Sequence, residues 1–239
     1  DVVKTSLTGC PPLAAAASAI SHVITVGSTL RASASLLFTL SNALPQPQPH
    51  QPHPSTVQIE SLWHYPIKGV GGNSISHTTL LVDQTLPCDR RYALSAGSLK
   101  ATQAGDGTWL QKAHFLQLMQ TESLSALVCQ LNGDIMTIHE TDSNHFVGNL
   151  DNPDDRAKCQ NFIADFLQMP DPTMLRIHQI KNGAFTDQPE PLVSIGGSAS
   201  LAAFAAATGT ETDPRRFRLN LIITTDTAFS ENQWGGAKL

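Results

Sequence analysis

The chain has 239 residues, of which 41% are hydrophobic and 15% are charged. This composition allows one large hydrophobic core or two smaller ones, and it excludes a chain that is disordered throughout. The formal net charge of -5 leaves no general basic surface, so we expect no nucleic-acid partner, and any site for an anion has to be local.

The first 55 residues differ in composition from the rest of the chain. Residues 1–44 are rich in Ala, Ser, Thr and Leu, which is compatible with an organelle transit peptide, a disordered tail or upstream sequence of non-native origin. The uncharged stretch 13–30 is weakly hydrophobic, so we expect no membrane span. Alternating prolines at 45–54 favour an extended spacer. We therefore interpret residues 1–55 as a disordered leader and a Pro-rich linker.

From residue 56 onward, short β-like runs alternate with Gly-, Asp- and Pro-containing turns. The sequence Asn132-Gly133-Asp134 predicts a hairpin because its central residues tolerate positive φ. An antiparallel β region is the economical interpretation. The predicted strand-forming runs are Val57–Tyr65, Ile75–Val82, Arg91–Ser95, Leu116–Leu131, Ile135–Glu140, Met174–Ile180, Leu192–Ile195 and Phe217–Thr224.

Two segments have helical spacing instead. Residues 154–168 place an apolar stripe on one side, and Pro170 ends that pattern. Residues 198–207 predict a second, shorter helix, capped by Ser198 and ended by Gly209. The predicted fold class is therefore mainly β with a few helices (α+β).

The cysteines and histidines give no pattern of a metal site. The nine histidines form no helical pair of the kind that binds a catalytic metal. The four cysteines are far apart, which indicates neither a zinc site nor a dense disulfide framework. We predict reduced thiols in an intracellular protein, cytoplasmic or, if the leader is a transit peptide, organellar. The cysteines are Cys10, Cys88, Cys129 and Cys159.

The first basic position of interest lies in YPIKGVGG, residues 65–72. A strand that leaves through Pro66 places Lys68 at the start of a loop whose glycines let the backbone approach a ligand closely. The alternative is a plain glycine turn with a solvated lysine.

The second lies in CDRRYAL, residues 88–94, where Asp89 is placed to orient Arg90 or Arg91 through an ion pair. The alternative is a surface ion pair that contributes little. Both interpretations stay open on the sequence alone.

The third lies in DPRRFRLN, residues 213–220. Strand alternation would direct Arg216, Arg218 and Asn220 to one face, an arrangement that suits an anionic, hydrogen-bonding ligand. The alternative is a cationic edge strand protected against aggregation.

Taken together and in order, five blocks resemble one family. Their order is similar to that of proteins in which a MOSC N-terminal β-barrel precedes a MOSC domain, MOSC being an abbreviation of molybdenum cofactor sulfurase C-terminal. The bacterial and mitochondrial amidoxime-reducing proteins are the most similar in type. The resemblance covers about residues 57–239 and implies an N-terminal β-barrel domain at 56–180 and a partial MOSC domain at 181–239. The blocks are YPIKGVGG at 65–72, DRRYAL at 89–94, WLQKAHF at 109–115, SIGGSASLAAFAAATG at 194–209, and DPRRFRLNLII with AFSENQW within 213–234.

The resemblance implies a site for the molybdopterin form of the molybdenum cofactor in an oxidoreductase that reduces N-hydroxylated or related substrates. Lys68 and Arg90 match the contacts to the phosphate of the cofactor. Arg218 and Asn220 match the residues that hold the pterin. Planar guanidinium groups and a lysine on preformed loops are well suited to a doubly charged phosphate.

Ser198 and Ser200 are candidates for further contacts, through hydroxyl and backbone donors at the positive end of the second helix. Capping alone also explains Ser198. Two positions depart from the family pattern: Lys112 stands where an arginine is usual, and Leu219 stands where a proline is usual. These departures bear on cofactor affinity rather than on the fold.

In the resembling proteins a cysteine that ligates molybdenum lies downstream of the block containing Trp234. The sequence here reaches Leu239 without such a residue, so we expect an incomplete set of metal ligands. The implied partners are a small-molecule substrate and an electron-transfer protein. A sulfur-carrier or sulfurase-type protein, and a non-catalytic β-domain module, remain as alternatives. Members of the wider family also carry a pyridoxal-phosphate label through domain fusion, but this sequence shows no Schiff-base lysine site.

Overall fold

The computed structural model describes residues 58–141, 144–211 and 213–235. The predicted leader and linker at 1–55 lie outside these ranges. The three α-helices of the described residues are α1 at Leu99–Ala104, α2 at Pro153–Phe166 and α3 at Ser198–Thr208. Their nine strands are β1 at Ile59–His64, β2 at Asn73–Ile75, β3 at Tyr92–Ala96, β4 at Val128–Asn132, β5 at Ile135–Thr141, β6 at Asn144–Gly148, β7 at Leu175–Gln179, β8 at Ile195–Gly197 and β9 at Leu221–Ile223.

The strands form three separate sheets, with the orders β2-β1-β9-β8, β3-β7 and β4-β5-β6. Among the strands of the described residues, β8 and β9 are the only pair that runs parallel. The predicted mainly-β, α+β class is confirmed. The β-barrel expectation is not met in the described residues, because β2 and β8 remain as unpaired edges of their sheet and a barrel closes only when its edge strands pair.

One sheet joins distant parts of the chain. Strands β1 and β2 come from the beginning of the described residues and β8 and β9 from near their end, and β1 pairs antiparallel with β9. The predicted boundary after residue 180 therefore falls between strands of the same sheet, and the two-domain division stays a prediction.

Local chemistry explains the elements that match the sequence prediction. The hairpin β4-β5 turns at Gly133, which has a φ of 61°, and Asn132 pairs with Ile135 across it. Helix α2 begins after Asn152, whose side chain accepts hydrogen bonds from the backbone N–H groups of Asp154 and Asp155. Helix α3 ends at Gly209 in the left-handed conformation, as predicted.

Other predicted elements are wrong in extent. The run predicted at 75–82 is a strand only up to Ile75, and Leu81 and Val82 are about half exposed without a partner strand. The run at 116–131 contains a 3-10 turn at Glu122–Ala126 before β4. The cap of α3 is Gly197 rather than Ser198, which is the first helical residue.

The predicted strand from Phe217 is also wrong, and the reason is a local cap. The side chain of Asp213 accepts a hydrogen bond from the backbone N–H of Arg215 at 2.9 Å, and Pro214 fixes φ for the first turn. A 3-10 turn therefore occupies Pro214–Phe217, and β9 begins only at Leu221. Arg216 consequently does not share a strand face with Arg218 and Asn220.

The largest hydrophobic core lies between the β3-β7 ribbon, the β4-β5-β6 sheet and helix α2. Leu94, Ile138, Ile163 and Leu175 are fully buried there, and each such side chain contributes about 1.5–3 kcal/mol of burial free energy. None of the described helices combines the length and hydropathy that a membrane crossing requires.

Two of the described cysteines lie in this core. Cys129 and Cys159 are free thiols there, and burial raises the pKa of both. The prediction of reduced thiols is confirmed at these two residues.

Candidate functional site

The loop that carries Lys68 is fixed by its backbone. The Lys68 backbone N–H donates to the Tyr92 carbonyl at 2.8 Å, and the Gly71 N–H donates to the Leu127 carbonyl at 3.0 Å. A Cβ atom at Gly72 would lie 2.1 Å from the carbonyl oxygen of His64, so only glycine fits where the loop folds back on β1. The ammonium group of Lys68 is therefore presented from a rigid base.

The segment around Arg90 is fastened to the same strand end. Asp89 is buried, and its carboxylate accepts a hydrogen bond from the Tyr65 N–H at 2.8 Å and pairs with the Arg90 guanidinium. The Arg90 N–H donates to the Tyr65 carbonyl at 2.7 Å. Arg90 itself has a φ of 49°, a conformation that side-chain-bearing residues adopt at a cost.

Arg218 reaches the Lys68 loop from the far end of the chain. Its guanidinium donates to the Val70 carbonyl at 2.6 Å and to the Ile67 carbonyl at 3.4 Å, on either side of Lys68 in sequence. Arg218 ends the 3-10 turn with a φ of 53°, so it too adopts the left-handed conformation. The cap at Asp213 and Pro214 thus sets the direction from which this side chain enters.

Tyr65 is the common neighbour of both arginines. The Cζ of Arg218 lies 4.5 Å from the centroid of its ring and the Cζ of Arg90 lies 5.3 Å from it, within the range of cation–π attraction. Tyr65 is fully buried, and its hydroxyl has no hydrogen-bond partner among the residues that the structure describes. Burial raises the pKa of Tyr65 to about 12, so the phenol stays neutral.

Two lysines meet one carboxylate beside these arginines. The Nζ of Lys68 donates to Asp187 Oδ1 at 2.8 Å and to the Phe185 carbonyl at 2.9 Å, while the Nζ of Lys112 lies 3.7 Å from Asp187 Oδ2. The Phe185 N–H donates to the Arg90 carbonyl at 2.8 Å, which links this group to the arginines. We call Lys68, Arg90, Lys112 and Arg218 the cation cluster.

The electrostatics of the cluster reflect crowding of like charge. Burial, together with the charge of Arg90, lowers the pKa of Arg218 to about 10, although the charge of Asp89 opposes this. Burial also lowers the pKa of Lys68, and its contacts with Asp187 offset this only in part. Burial raises the pKa of Asp187, but the hydrogen bond and charge of Lys68 outweigh it, so the pKa of that carboxyl falls below its usual value.

Asn220 lies next to the cluster, and its side-chain amide already makes hydrogen bonds within the protein. Its Oδ1 accepts hydrogen bonds from the hydroxyl of Ser194 at 2.9 Å and from Arg90 at 3.4 Å, and its Nδ2 donates to the Trp63 carbonyl at 3.3 Å. Only 1% of Asn220 is exposed. Its side-chain amide therefore positions Arg90 and connects the residue just before β9 to β1.

No contact among the described residues brings Ser198 or Ser200 to the cation cluster. The Ser198 hydroxyl accepts a hydrogen bond from the Thr225 N–H at 3.1 Å, and the Ser200 hydroxyl accepts one from the Phe229 N–H at 2.7 Å. The Gly197 N–H at the start of α3 donates to the Glu231 carboxylate at 3.3 Å. The positive end of α3 is thus occupied by groups of the chain itself, and the role of these serines in ligand binding stays a prediction.

Sequence reasoning did not select three residues of this site. Lys112 was identified as a departure from the family pattern, yet it faces the same carboxylate as Lys68. Asp187 lies in a loop without periodicity, so no pattern singled it out. Tyr65 was part of a quoted block, and its position next to two arginines is visible only in three dimensions.

A separate cleft of about 360 Å³ lies against helix α2, away from the cation cluster. It is lined by Asp106, Asp151 and Arg156 among others, and Arg156 bonds to Asp106 at 2.6 Å and to Gln179 at 3.1 Å. These partners join α2 to β7, which accounts for the polar residues there without a ligand.

The described ranges contain no group of three or more His, Cys, Asp or Glu residues that could hold a metal ion. Compared with known proteins, the chain matches no family model and no curated sequence. Any assignment of function therefore depends on the cation cluster and on the family resemblance of the sequence.

Proposed function

We propose that the chain binds the molybdopterin form of the molybdenum cofactor at the cation cluster, as part of an oxidoreductase that acts on N-hydroxylated or related substrates. The observation that carries the proposal is the charge environment of Arg218. This partly buried guanidinium has no carboxylate within ion-pair distance in the described part of the chain, and both burial and Arg90 lower its pKa. A bound anion would offset that repulsion.

The charge balance favours a phosphate in particular. The cluster contains four cations, and the carboxylates in contact with it are the buried Asp89 and the exposed Asp187, which leaves an excess of two positive charges with Asp187 in contact and of three without it. A phosphate monoester carries about 1.5–2 negative charges near neutral pH. Charge-assisted hydrogen bonds from lysine and arginine are about twice as strong as neutral ones. A monoester phosphate therefore matches the cluster better than a monoanion does.

The backbone conformation gives independent support. Arg90 and Arg218 both have positive φ, which costs about 1–2 kcal/mol at each residue other than glycine. Strained residues of this kind concentrate at ligand-binding and catalytic sites. Two such arginines in contact with each other support a binding role over an incidental surface position.

The residues fit the phosphate-bearing end of the cofactor. Lys68 and Arg90 would hold the phosphate, with Lys112 as a further point charge, while Arg218 would lie on the inner side and Asn220 would position Arg90. The cofactor, when bound, would supply the redox chemistry, and the chain would supply binding, orientation and charge compensation. The free thiols Cys129 and Cys159 lie in the core, so they do not serve as metal ligands in this fold.

A second candidate, a β-domain module without a cofactor, is favoured by one observation. Both guanidiniums already donate to backbone carbonyls: Arg218 to Ile67 and Val70, and Arg90 to Arg218. In that case the arginines serve to fasten three segments together. The third alternative, a sulfur carrier, requires an accessible thiolate, which the buried Cys129 and Cys159 do not supply.

Pterin content of the purified chain tests the proposal. The full chain would be expressed in a host that makes molybdopterin, and the pterin released from it would be oxidised and measured by fluorescence per mole of protein. We expect Lys68→Ala combined with Arg218→Ala to remove the pterin while circular dichroism stays that of the folded chain. The matched control is Arg215→Ala, since Arg215 is a half-exposed cation of the same segment that pairs only with Asp213.

Because Arg218→Ala leaves the Val70 carbonyl without its Arg218 donor, Lys68→Ala combined with Lys112→Ala serves as a second variant. Among the described residues, neither lysine side chain connects one helix or strand to another, so the fold should persist without them. Undiminished pterin in either folded variant, or a wild-type chain without pterin, would contradict cofactor binding and favour the β-domain module.

A further inference from the structure

Asp187 places a carboxylate where an anionic ligand of the cation cluster would bind. Its two oxygens face the two lysines, with Oδ1 at 2.8 Å from the Nζ of Lys68 and Oδ2 at 3.7 Å from the Nζ of Lys112. The side chain of Asp187 is 64% exposed, whereas that of Lys68 is only 13% exposed. The exposed carboxylate of Asp187 thus covers the shielded ammonium group of Lys68 from the solvent side.

The attachment of Asp187 to the rest of the fold is one-sided. Before it, Phe185 is buried and donates its N–H to the Arg90 carbonyl. The Thr186 carbonyl accepts a hydrogen bond from Trp109 Nε1 at 3.2 Å. After it, residues 188–191 are all exposed and belong to no helix or strand, and the Gln188 carbonyl is held only locally, by the Thr186 hydroxyl at 2.5 Å. Asp187 is therefore the first residue beyond a firm anchor, and its side chain can turn away without unpacking the core.

The chemistry of this contact is that of the ligand proposed above. A carboxylate between two ammonium groups presents two acceptor oxygens and one negative charge, as part of a phosphate would. We propose that Asp187 is a tethered competitor that occupies the phosphate position of the cation cluster until a phosphorylated ligand displaces it. This inference depends on the proposed function, since it assigns a specificity-determining residue to the same site.

Asp187 competes with free anions because the chain holds it next to the two lysines. A group held on a short flexible linker acts at an effective concentration on the order of millimolar. Monoanions such as acetate carry the same charge as Asp187 and have no such advantage, so they should be excluded. A phosphate carries a larger charge and more acceptor oxygens, so it should displace Asp187. The contact therefore selects for phosphorylated ligands against carboxylates.

Calorimetric titration of the full chain with inorganic phosphate tests the inference. We expect Asp187→Asn to bind phosphate about tenfold more tightly than the wild type, as for a tethered competitor whose effective concentration is about nine times its own dissociation constant. The matched control is Glu190→Gln, which makes the same change in net charge on the same exposed loop, three residues along, without an ion pair among the described residues. Glu190→Gln should bind phosphate like the wild type.

Acetate and a third variant complete the test. Asp187→Asn should gain measurable acetate binding, and Asp187→Asn combined with Lys68→Ala should lose the gain for both anions. If Asp187→Asn binds phosphate no more tightly than the wild type while both bind it, the competitor is refuted and the anion site stands. If Glu190→Gln gains as much as Asp187→Asn, net charge explains the effect and the competitor is again refuted. If no form binds phosphate, the anion site and the competitor both fail.

Discussion

Arg90 donates a hydrogen bond from Nη2 to the carbonyl oxygen of Arg218 at 2.9 Å, so the two arginines of the candidate site are joined through the backbone of one of them. Each has a positive φ and each lies against Tyr65. Removal of either side chain should therefore displace the other arginine.

Arg218→Met should destabilise the fold in addition to any effect on ligand binding. The change leaves the Val70 carbonyl without its Arg218 donor, whereas the Ile67 carbonyl still accepts a hydrogen bond from the Val70 N–H at 3.2 Å. An unsatisfied buried polar group costs about 1–3 kcal/mol. Urea unfolding of Arg218→Met and Arg215→Met would measure the difference. Equal free energies of unfolding for the two variants would show that the carbonyl contacts of Arg218 contribute nothing.

Asp89→Asn should be among the most damaging single changes near the site. The Asp89 carboxylate is buried and serves both the Tyr65 N–H and the Arg90 guanidinium. Removing one partner of a buried ion pair typically costs about 3–5 kcal/mol, because the remaining charge is left uncompensated. Thermal unfolding of Asp89→Asn beside Asp187→Asn, which removes an exposed carboxylate, would test this. A loss in Asp89→Asn no larger than in Asp187→Asn would argue against the buried pair.

Gly72→Ala should disrupt the Lys68 loop through sterics alone. The added Cβ would lie 2.1 Å from the His64 carbonyl oxygen, so the backbone has to shift, at a cost of about 1–3 kcal/mol. Gly235→Ala is the control, because a Cβ there meets nothing within 4 Å. We expect the first variant to lower both the midpoint of denaturant unfolding and the affinity for phosphate, and the second to change neither.

His64 should make the fold sensitive to mild acid. It is buried, and burial lowers its pKa despite the opposing charge of Asp89 and the opposing backbone groups of Cys88 and Pro87. The unfolded chain then takes up a proton near pH 6.5, whereas the folded chain does so only at lower pH. Stability is complete above that value and falls as the pH drops below it, by up to about 1.4 kcal/mol per pH unit for one proton.

His64→Gln removes this titration, so its free energy of unfolding should vary less between pH 7.5 and pH 5 than that of the wild type. Burial lowers the pKa of His178 as well, so some dependence should remain. The exposed His145 provides the matched change, His145→Gln. An unaltered pH dependence in His64→Gln would show that His64 is not the responsible group.

The sequence was sufficient to predict elements whose local chemistry decides them. The hairpin at Gly133 and the end of α3 at Gly209 follow from residues that adopt positive φ readily. The misassigned strand before Leu221 had a visible signal as well, because Asp213 followed by Pro214 is typical of the start of a helical turn. The cap at Asp213 and Pro214 outweighs the alternating pattern of residues 216–220.

The candidate site was predictable only in part. Lys68, Arg90 and Arg218 were selected from residue type, glycine spacing and the family resemblance, and the fold brings them into one cluster. The pairing of Asp187 with Lys68 was not predictable, since loop residues far apart in sequence carry no periodic signal. The full engagement of Asn220 depends on a side-chain network that strand patterning cannot reveal.

The antiparallel pairing of β1 with β9 has a consequence for biosynthesis. These strands stand near opposite ends of the described chain, so the ribosome has to make nearly all of it before they can meet. Contacts between such distant segments close slowly because the intervening loop must first lose its freedom. The cation cluster should therefore be among the last features to form in a nascent chain, after the hairpin β4-β5 and helix α2.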